Sequence, residues 1–422
     1  MPQVETQQAR DRVNMRAPIM IKPDAAQLIR ALRKQGCLTA RDFSQITGWS
    51  KAKTFQVIHQ LIDEGILIQT GEAMSIGGRK PRLICLNQSL GYLVGVDIGA
   101  TSVDLVISDL VGRILQRISE AADVRLKPES FLNRVIELIH QLAATQGCQP
   151  DEILAIGMGV PGPVDFARGI LVAPPLMPEW ENFPIREYIH RAFPQALIVV
   201  DNDVNIMALG EKWAGDGINI DHFLYIKIGT GIGAGIISNG RIHRGSTGCA
   251  GDIGHICVDK NGPICKCGNV GCLEAMAAAP AIAEKGLQAA LSGASPFLKQ
   301  LMEANGGIIR PEDVNAACRE GDQAALEIIR ESGQMIGDVL ASLVNFFNPS
   351  HIFIGGGIAN FGNHLLVAIR SVVLRRSLPL ATTHLAINYS RIAADAGVIG
   401  AIALAMEHLF VVQDHPHQLL SI

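Results

Sequence analysis

The segment YLVGVDIGATSVDLVISDLVGRIL, Tyr92–Leu115, contains an apolar run, a glycine turn and two further apolar runs. This order predicts three β-strands, with a turn between the first two that holds Asp97, Gly99 and Thr101. Gly99 would let backbone N–H groups approach a phosphate, Thr101 would add a hydroxyl donor, and Asp97 could hold a water on Mg²⁺. One such turn is weak evidence, because glycine turns are common.

The same pattern returns twice further along the chain. LYIKIGTGIGAGIISNG, Leu224–Gly240, again reads as strand, glycine-rich turn and strand, and HIFIGGGIANFG, His351–Gly362, joins a strand to a helix. These turns add four candidate nucleotide ligands: Thr230, Gly231, Gly356 and Gly357. The two similar halves predict an α/β protein and resemble the actin-like (ribonuclease H-like) fold, in which ATP lies between two related halves.

Composition supports a large α/β protein without a membrane span. The chain has 422 residues, 48% of them hydrophobic, which is enough for two or three domains. Only 5% are aromatic and 43 are glycine, as suits many tight turns. No apolar run approaches the roughly 20 residues that span a bilayer, and the charged N-terminus has no signal-peptide core. We therefore expect a cytoplasmic protein.

Two segments indicate a small polar ligand: GMGVPGPVDFARG, Gly157–Gly169, and VVDNDVNIMALGE, Val199–Glu211. In the second, an apolar strand ends at Asp201, Asn202 and Asp203, and a helix follows. Ligands of open α/β sheets bind at such strand ends. Asn202 could hydrogen-bond sugar hydroxyls, and Asp203 could take a proton from one of them. The simpler alternative is a polar turn that caps the next helix.

The first ninety residues are predicted to contain a small domain with two helices joined by a glycine turn. Ala25–Leu32 reads as an amphipathic helix, Thr39 caps the next one, Gly48 ends it, and Ser50 begins a third. Six apolar residues are expected to be buried by the second and third helices: Phe43, Ile46, Phe55, Ile58, Leu61 and Ile62. The following segment, residues 66–87, reads as two strands around a glycine-rich tip, which is a wing.

This part of the chain is basic. Residues 1–90 contain 13 Lys and Arg against 7 Asp and Glu, a net +6, whereas the remainder contains 23 against 33, a net −10. Long polar side chains at the start of a recognition helix serve phosphate and base-edge contacts in DNA. The candidate DNA contacts are Lys51, Lys53, Thr54, Gln56 and Arg79. For each of them the alternative is an ordinary solvated surface residue.

Seven of the nine cysteines fall into two groups. Four occur singly in periodic segments and are expected to be small buried hydrophobes in a reducing compartment: Cys37, Cys85, Cys148 and Cys318. Cys265, Cys267 and Cys272 lie within eight residues of one another, and the first follows His255 by ten residues. From spacing alone, a metal site competes with a disulfide plus a spare thiol and with a cysteine-rich loop.

The order of these motifs resembles the ROK family (repressors, uncharacterised frames and sugar kinases) over nearly the whole chain. GVDIGATSVDLVISD is similar to the family's first phosphate turn, GVPGPVD and PPLMPEWENFPI to its sugar-side loops, and DNDVNIMALGE to its catalytic Asn-Asp segment. IGTGIGAGIISNGRIHRGSTGCAGDIGH is similar to the family signature, and CKCGNVGCLE to its zinc loop. The first ninety residues resemble the winged helix-turn-helix of the repressor branch, which plain kinases of the family lack.

The resemblance implies roles for particular residues. The sugar ligands would be Gly162, Asn202, Asp203, Asp252, His255 and Glu274, with Asp203 as the general base. A structural zinc would be held by His255, Cys265, Cys267 and Cys272, a donor set that also suits tetrahedral Zn²⁺ on chemical grounds. Cys249 and Cys257 would then be core residues. Asp252 departs from the family's usual Glu, and its carboxylate reaches roughly 1.5 Å less far.

The resemblance also implies a domain layout and a set of partners. We expect an N-terminal arm at 1–24, a winged helix-turn-helix at 25–87, a first ROK subdomain at 88–201 with 395–422, and a second at 202–394 with the zinc loop. Three functions are open: a sugar-responsive regulator that binds operator DNA as a homodimer or homotetramer, a sugar kinase that uses Mg-ATP, and a regulator with a vestigial sugar site. The last would respond to a protein partner such as a transport component.

Overall fold

The computed structural model describes residues 17–72 and 81–412. Its N-terminal part contains three helices, a short first strand and a three-stranded antiparallel sheet with the order β2-β4-β3. These elements are β1 (Ile19–Ile21), α1 (Pro23–Gln35), β2 (Leu38–Thr39), α2 (Ala40–Thr47), α3 (Lys51–Asp63), β3 (Leu67–Glu72) and β4 (Arg82–Leu86).

Local signals set the ends of α2 and α3 as expected. Thr39 accepts a hydrogen bond from the backbone N–H of Asp42, and the Asp42 carboxylate accepts one from the Thr39 N–H at 2.9 Å, which is a capping box. Gly48 ends α2 in the left-handed conformation, with φ of 71°, and the Ser50 side chain caps α3. The predicted pair of helices joined at Gly48 is therefore confirmed.

Two of the residues predicted to be buried there are not. Ile46 is 45% exposed and Phe55 is 50% exposed. The buried face of α3 is formed by Thr54, Ile58 and Leu61, whose spacing of four and three residues places them on one side of the helix. Phe55 lies about 100° around the helix axis from Thr54, so it faces solvent.

The first half of the body is a five-stranded sheet with the order β11-β8-β5-β6-β7. Strands β5, β6 and β7 are antiparallel neighbours, whereas β8 and β11 run parallel to β5. Its elements are β5 (Tyr92–Ile98), β6 (Ser102–Ser108), β7 (Ile114–Ala121), α4 (Pro128–Gln146), β8 (Ile153–Val160), β9 (Val164–Asp165), β10 (Ile170–Leu171), α5 (Ile185–Ala192), β11 (Leu197–Asn202) and α6 (Asp203–Ala214).

The second half repeats that plan. Its sheet has the order β14-β13-β12-β15-β16, with β12, β13 and β14 antiparallel and β15 and β16 parallel to β12. The remaining elements are β12 (Phe223–Ile228), β13 (Ile232–Ser238), β14 (Arg241–Ile242), α7 (Leu273–Ala277), α8 (Ala279–Leu291), α9 (Pro296–Ala304), α10 (Pro311–Arg319), α11 (Gln323–Phe347), β15 (His351–Gly355), α12 (Asn363–Arg376), α13 (Pro379–Thr382), β16 (Ala386–Tyr389), α14 (Ala396–Leu409) and β17 (Phe410–Val412). The predicted pair of matching α/β halves is confirmed.

Helices α6 and α14 cross between the two sheets at very close range. A Cβ on Gly400 would overlap the carbonyl oxygen of Ile206, and one on Gly210 would overlap that of Ala396. Only glycine permits such an approach of two backbones. The crossing fixes α6, and therefore the residues at its first turn, relative to both sheets.

The N-terminal part shares its core with the body. One continuous cluster of buried apolar side chains includes Leu28 and Leu32 of α1, Leu93 of β5, and Ile402 and Leu409 of α14. Strand β1 also pairs in parallel with β17, with Met20 opposite Val411. The predicted domain boundaries are not tested by these contacts and stay a prediction.

The cysteines correct part of the sequence interpretation. Cys148 and Cys318 are buried as expected, but Cys37 and Cys85 form a disulfide. Antiparallel pairing of β2 with β4 places Leu38 opposite Ile84, and this brings the Cα atoms of the two cysteines to 4.5 Å. The interpretation of this pair as separate buried hydrophobes was wrong.

Within residues 17–72 and 81–412, no helix combines the length and apolarity that crossing a membrane requires.

Candidate functional site

A cleft of about 480 Å³ lies where the ends of the two sheets meet. All the residues predicted to bind sugar line it: Gly162, Asn202, Asp203, Asp252, His255 and Glu274. All the residues predicted to bind nucleotide line it as well: Asp97, Gly99, Thr101, Thr230, Gly231, Gly356 and Gly357. Segments far apart in sequence therefore form one site, although the role of each residue remains a prediction.

The end of β11 and the start of α6 supply the polar wall of the cleft. The Asn202 Oδ1 accepts hydrogen bonds from the N–H groups of Val204 and Asn205, so Asn202 does cap the helix. Its Nδ2 donates to the Gly162 carbonyl at 2.9 Å and carries a second N–H that can serve a ligand. Both interpretations of this residue, helix cap and ligand-binding amide, thus fit the same geometry.

Asp201 lies beneath this wall and holds it in place. It is 1% exposed and binds the Arg244 guanidinium at 2.7 and 2.8 Å. Its other oxygen accepts from the Asn202 N–H and from the Asn205 side chain, at 2.7 and 2.9 Å. Arg244 in turn lies 3.9 Å from the centre of the Phe166 ring. A charge-assisted pair with these additional bonds orients Asn202 rigidly.

Asp203 is buried and already has partners. Its Oδ1 accepts from the Val204 N–H at 2.9 Å, and its Oδ2 forms a short ion pair with the Nζ of Lys227 on β12. Burial acts to lower the pKa of Lys227, but the charges of Asp203 and Asp97 outweigh it and raise that pKa. Burial raises the pKa of Asp97 to about 7, and Lys227 opposes this rise.

The glycine turns bring backbone close to the cleft. A Cβ on Gly231 would lie 2.5 Å from the Glu274 carboxylate, so a larger residue there would displace the end of the Glu274 side chain. The Glu274 Oε2 accepts from the Ile232 N–H at 3.3 Å, and burial raises the pKa of Glu274. Gly356 has φ of 86°, a conformation that favours glycine.

A cluster of four metal-binding side chains lies beside the cleft. One donor atom from each of His255, Cys265, Cys267 and Cys272 lies within 4.8 Å of the others. The Cys265 Sγ is 3.7 Å from the His255 Nδ1, and the Cys267 Sγ is 3.7 Å from the Cys272 Sγ. Three thiols and one imidazole at this separation fit a closed tetrahedral Zn²⁺ site.

Two neighbouring cysteines were assigned wrongly from the sequence. Cys249 and Cys257 are exposed, and Cys249 lines the cleft, so neither is a core residue. The cluster is linked to the cleft through Asp252, whose carboxylate lies 3.8 Å from the His255 Nε2. A metal bound on the Nδ1 side would thus orient a histidine that faces Asp252 on its other nitrogen.

The predicted DNA contacts of α3 are only partly available. Lys51, Lys53 and Gln56 are exposed, whereas Thr54 is completely buried. The Thr54 hydroxyl lies 2.9 Å from the Ser44 Oγ and donates to the Ser50 carbonyl, so it ties α3 to α2. The prediction that Thr54 contacts DNA is wrong. Arg79 lies outside the described residues.

Sequence reasoning missed several residues that connect to the site. Lys227 is a charged residue inside an otherwise apolar strand, and that contrast was the signal that could have identified it. Arg244 and Trp213 gave no local signal, because their partners lie far away in the chain. The Trp213 ring lies 3.6 Å beneath the Arg33 guanidinium, which belongs to α1.

These features define a class: a two-lobed α/β protein of sugar-kinase-like fold, with a polar cleft between matching sheets. The chain belongs to the ROK family, whose family model matches residues 93–408. A xylose repressor of Caldicellulosiruptor bescii is 31% identical over 391 residues, which cover 90% of this chain and 95% of that protein.

Two solved structures are similar. The crystal structure of a ROK family transcriptional regulator, a homologue of the E. coli MLC protein, matches 92% of this chain and 96% of its own, with a TM-score of 0.76 and 27% identity. A ROK family glucokinase from Streptomyces griseus, in complex with glucose and AMPPNP, matches 75% of this chain and 99% of its own, with a TM-score of 0.65 and 30% identity.

Proposed function

We propose that this protein is a sugar-responsive transcriptional regulator of the ROK family, in which the N-terminal part is a winged helix-turn-helix that binds operator DNA. The similarity to a xylose repressor and to a ROK transcriptional regulator extends over at least 90% of the chain and so reaches into this part. The exposed Lys51 and Gln56 at the start of α3 support a recognition helix. The net charge of +6 over residues 1–90 supports a polyanionic partner.

One observation carries the proposal: α6 extends from the cleft to the N-terminal part. Its first residue is Asp203, in the cleft, and its eleventh residue, Trp213, lies against Arg33 of α1. Twelve helical residues span about 18 Å, so one rigid element contacts both sites. Burial lowers the pKa of Arg33 to about 9, and the charge of Glu407 on α14 opposes this.

Sugar binding at the first turn of α6 would be transmitted to the other end of the helix, which contacts α1. Hydroxyls that bind Asn202 and Asp203 would favour one position of the first turn of α6, and the Trp213–Arg33 contact would transmit that preference to α1. A ligand shifts a conformational equilibrium only by its differential affinity for the two states. In this scheme the differential contact is the hydrogen bonding at the α6 N-terminus.

We further propose that the cluster of His255 and the three cysteines holds a structural zinc. The metal would fix the loop that carries Asp252 and His255, and thereby shape the wall of the sugar site. Assembly as a homodimer or homotetramer, and control by a transport component, stay predictions.

The test of the regulator proposal first identifies a DNA sequence that the protein binds and then asks which sugar changes that binding. Random-sequence duplex DNA is enriched on the purified protein, and the affinity for a selected duplex is measured by fluorescence anisotropy with D-xylose, D-glucose and other aldoses at fixed salt. We expect one aldose to change the affinity by about 5- to 150-fold, the range of ordinary allosteric coupling. Failure to enrich any duplex, or an affinity that no aldose changes, would contradict the proposal.

The route through α6 is tested with Trp213→Ala. The variant should still bind the aldose and the duplex, but the aldose should no longer change the DNA affinity. Phe346→Ala is the matched control, because Phe346 is an aromatic residue that is 89% exposed and is not in contact with the cleft. Equal coupling in Trp213→Ala and wild type would place the route elsewhere.

A sugar kinase is the second candidate, and the complete set of predicted nucleotide residues along the cleft favours it. In that case Asp203 would accept the proton of the attacking hydroxyl, and Asp203→Asn would lower turnover by on the order of 10² to 10⁴. Sugar-dependent ADP release by the wild type, lost in Asp203→Asn, would establish this candidate. If the wild type releases no sugar-dependent ADP, only the regulator proposal remains.

A further inference from the structure

Lys227 is placed where a kinase cleft would need room for a divalent cation. It lies on β12, and its ammonium pairs with Asp203, the predicted general base. The side chain of Lys227 is 18% exposed and that of Asp203 is 6% exposed, so the pair is largely removed from water. The second carboxylate in range is Asp97, whose own negative charge acts on Lys227.

Lys227 has a glycine opposite it on each neighbouring strand. Residues directly opposite Lys227 are Gly233 on β13 and Gly355 on β15. Opposite residues of neighbouring strands project from the same face of a sheet, so both lateral positions beside Lys227 lack a side chain. The space over these glycines is filled by the Tyr225 hydroxyl and by Val204, and Lys227 extends to the first turn of α6, where its ammonium pairs with Asp203.

Lys227 offsets the negative charges of Asp203 and Asp97 in the cleft. Asp97 and Asp203 both line the cleft, and they are the carboxylates that would be expected to hold a metal bridging the phosphates of a bound nucleotide. With Lys227 present, one cation already lies against Asp203. A Mg²⁺ ion demands near-ideal octahedral oxygen ligation and does not share a carboxylate oxygen readily with an ammonium group. The residues present therefore do not fit a Mg²⁺ ion bound between these two carboxylates.

We propose that Lys227 is the resident cation of this cleft and makes it a sugar-binding site that needs no divalent metal and transfers no phosphoryl group. The inference deepens the proposed function, since it explains why a chain with all the nucleotide turns would sense a sugar rather than phosphorylate it. The opposite use of Lys227, as the ligand of an anionic sugar phosphate, is less consistent with the geometry. Its ammonium is already neutralised by Asp203.

The test measures Mn²⁺ binding by electron paramagnetic resonance in wild type and in Lys227→Met, which matches the lysine stem as far as Cε and removes the charged ammonium. We expect Lys227→Met to bind Mn²⁺ at least about tenfold more tightly, since two carboxylates are left without a cation in a site of low dielectric. The added Asp203→Asn substitution should abolish this gain. Lys227→Arg should show no gain, and Lys260→Met controls for loss of an exposed lysine elsewhere.

A second measurement does not depend on the folding of a variant. In the wild type, addition of Mn²⁺ should change the affinity for a non-hydrolysable ATP analogue by less than about threefold. A tenfold rise in that affinity, or Mn²⁺ binding as tight in wild type as in a folded Lys227→Met, would overturn the inference. Neither measurement uses DNA or sugar, so failure of this inference and failure of the regulator proposal can be told apart.

Discussion

At the scale of single residues, the donor atoms of the cysteine cluster lead to a definite expectation. We expect about one zinc per chain in freshly purified, reduced protein. Cys267→Ser should lose that zinc and weaken the sugar response, because a hydroxyl replaces one thiolate ligand. Inductively coupled plasma mass spectrometry gives the zinc content directly.

The matched control is Cys257→Ser, which removes a nearby exposed thiol that is not part of the four-residue cluster. It should keep its zinc. Wild-type protein without zinc, or Cys257→Ser and Cys267→Ser that lose it equally, would show that these four side chains are not the ligands.

Thr54 and Cys249 were assigned wrongly because residue type alone does not determine whether a side chain is buried. A threonine at the start of a recognition helix and a cysteine in a glycine-rich segment are both ambiguous by chemistry. Thr54 is buried because Ser44 of α2 lies opposite it. Cys249 is exposed because its segment lines the cleft. In both cases a neighbour distant in sequence decided the environment.

At the scale of elements, α3 allows a prediction about DNA binding. Lys51→Ala should weaken binding of a selected duplex and lower the slope of log affinity against log salt by about one, if Lys51 neutralises one phosphate. Lys53→Ala should have a smaller effect. Lys53 already pairs with Asp24 at 3.0 Å and lies 4.5 Å above the Trp49 ring, so a DNA contact must replace these interactions.

The salt series is measured by fluorescence anisotropy, with Lys299→Ala on α9 as the control for an exposed lysine far along the chain. An unchanged affinity and slope in the Lys51→Ala, Lys53→Ala double variant would place the DNA surface elsewhere.

At the scale of the whole molecule, the shared core links stability to a buried acid. Glu407 of α14 is 8% exposed, and burial raises its pKa to about 7, although Arg244 and Arg33 oppose the rise. An acid with a raised pKa in the folded state contributes stability that is present below its unfolded pKa and is lost as pH rises through the folded value. Stability should therefore fall between about pH 4.5 and 7 and then level off.

Glu407→Gln should reduce that pH dependence and raise stability at pH 8, by about 3 kcal/mol at most. Some slope should remain, because burial also raises the pKa of Asp97 to about 7. Thermal unfolding from pH 5 to 8 measures both effects, with the exposed Glu303→Gln as control. Parallel curves for Glu407→Gln and wild type would contradict this account.

The sequence by itself determined the local features of this protein: the glycine turns at Gly99 and Gly231, the helix boundaries at Thr39 and Gly48, and the spacing of the metal donors. Each of these depends on residues that are close together in the chain, so periodicity and turn chemistry are sufficient to predict them. The repetition of one pattern also predicted two matching sheets, because similar local signals in the same order build similar topologies.

Only the tertiary structure decided which faces meet. Periodicity shows which residues share one side of a helix or strand, but not which element packs against that side. The pairing of Lys227 with Asp203 and the contact of Arg33 with Trp213 join elements that no local pattern connects. The two proposals about this protein, a metal-free sugar site and a link from the cleft to the N-terminal part, rest on these two contacts, because a buried charge is stabilised only by the partner that the fold brings to it.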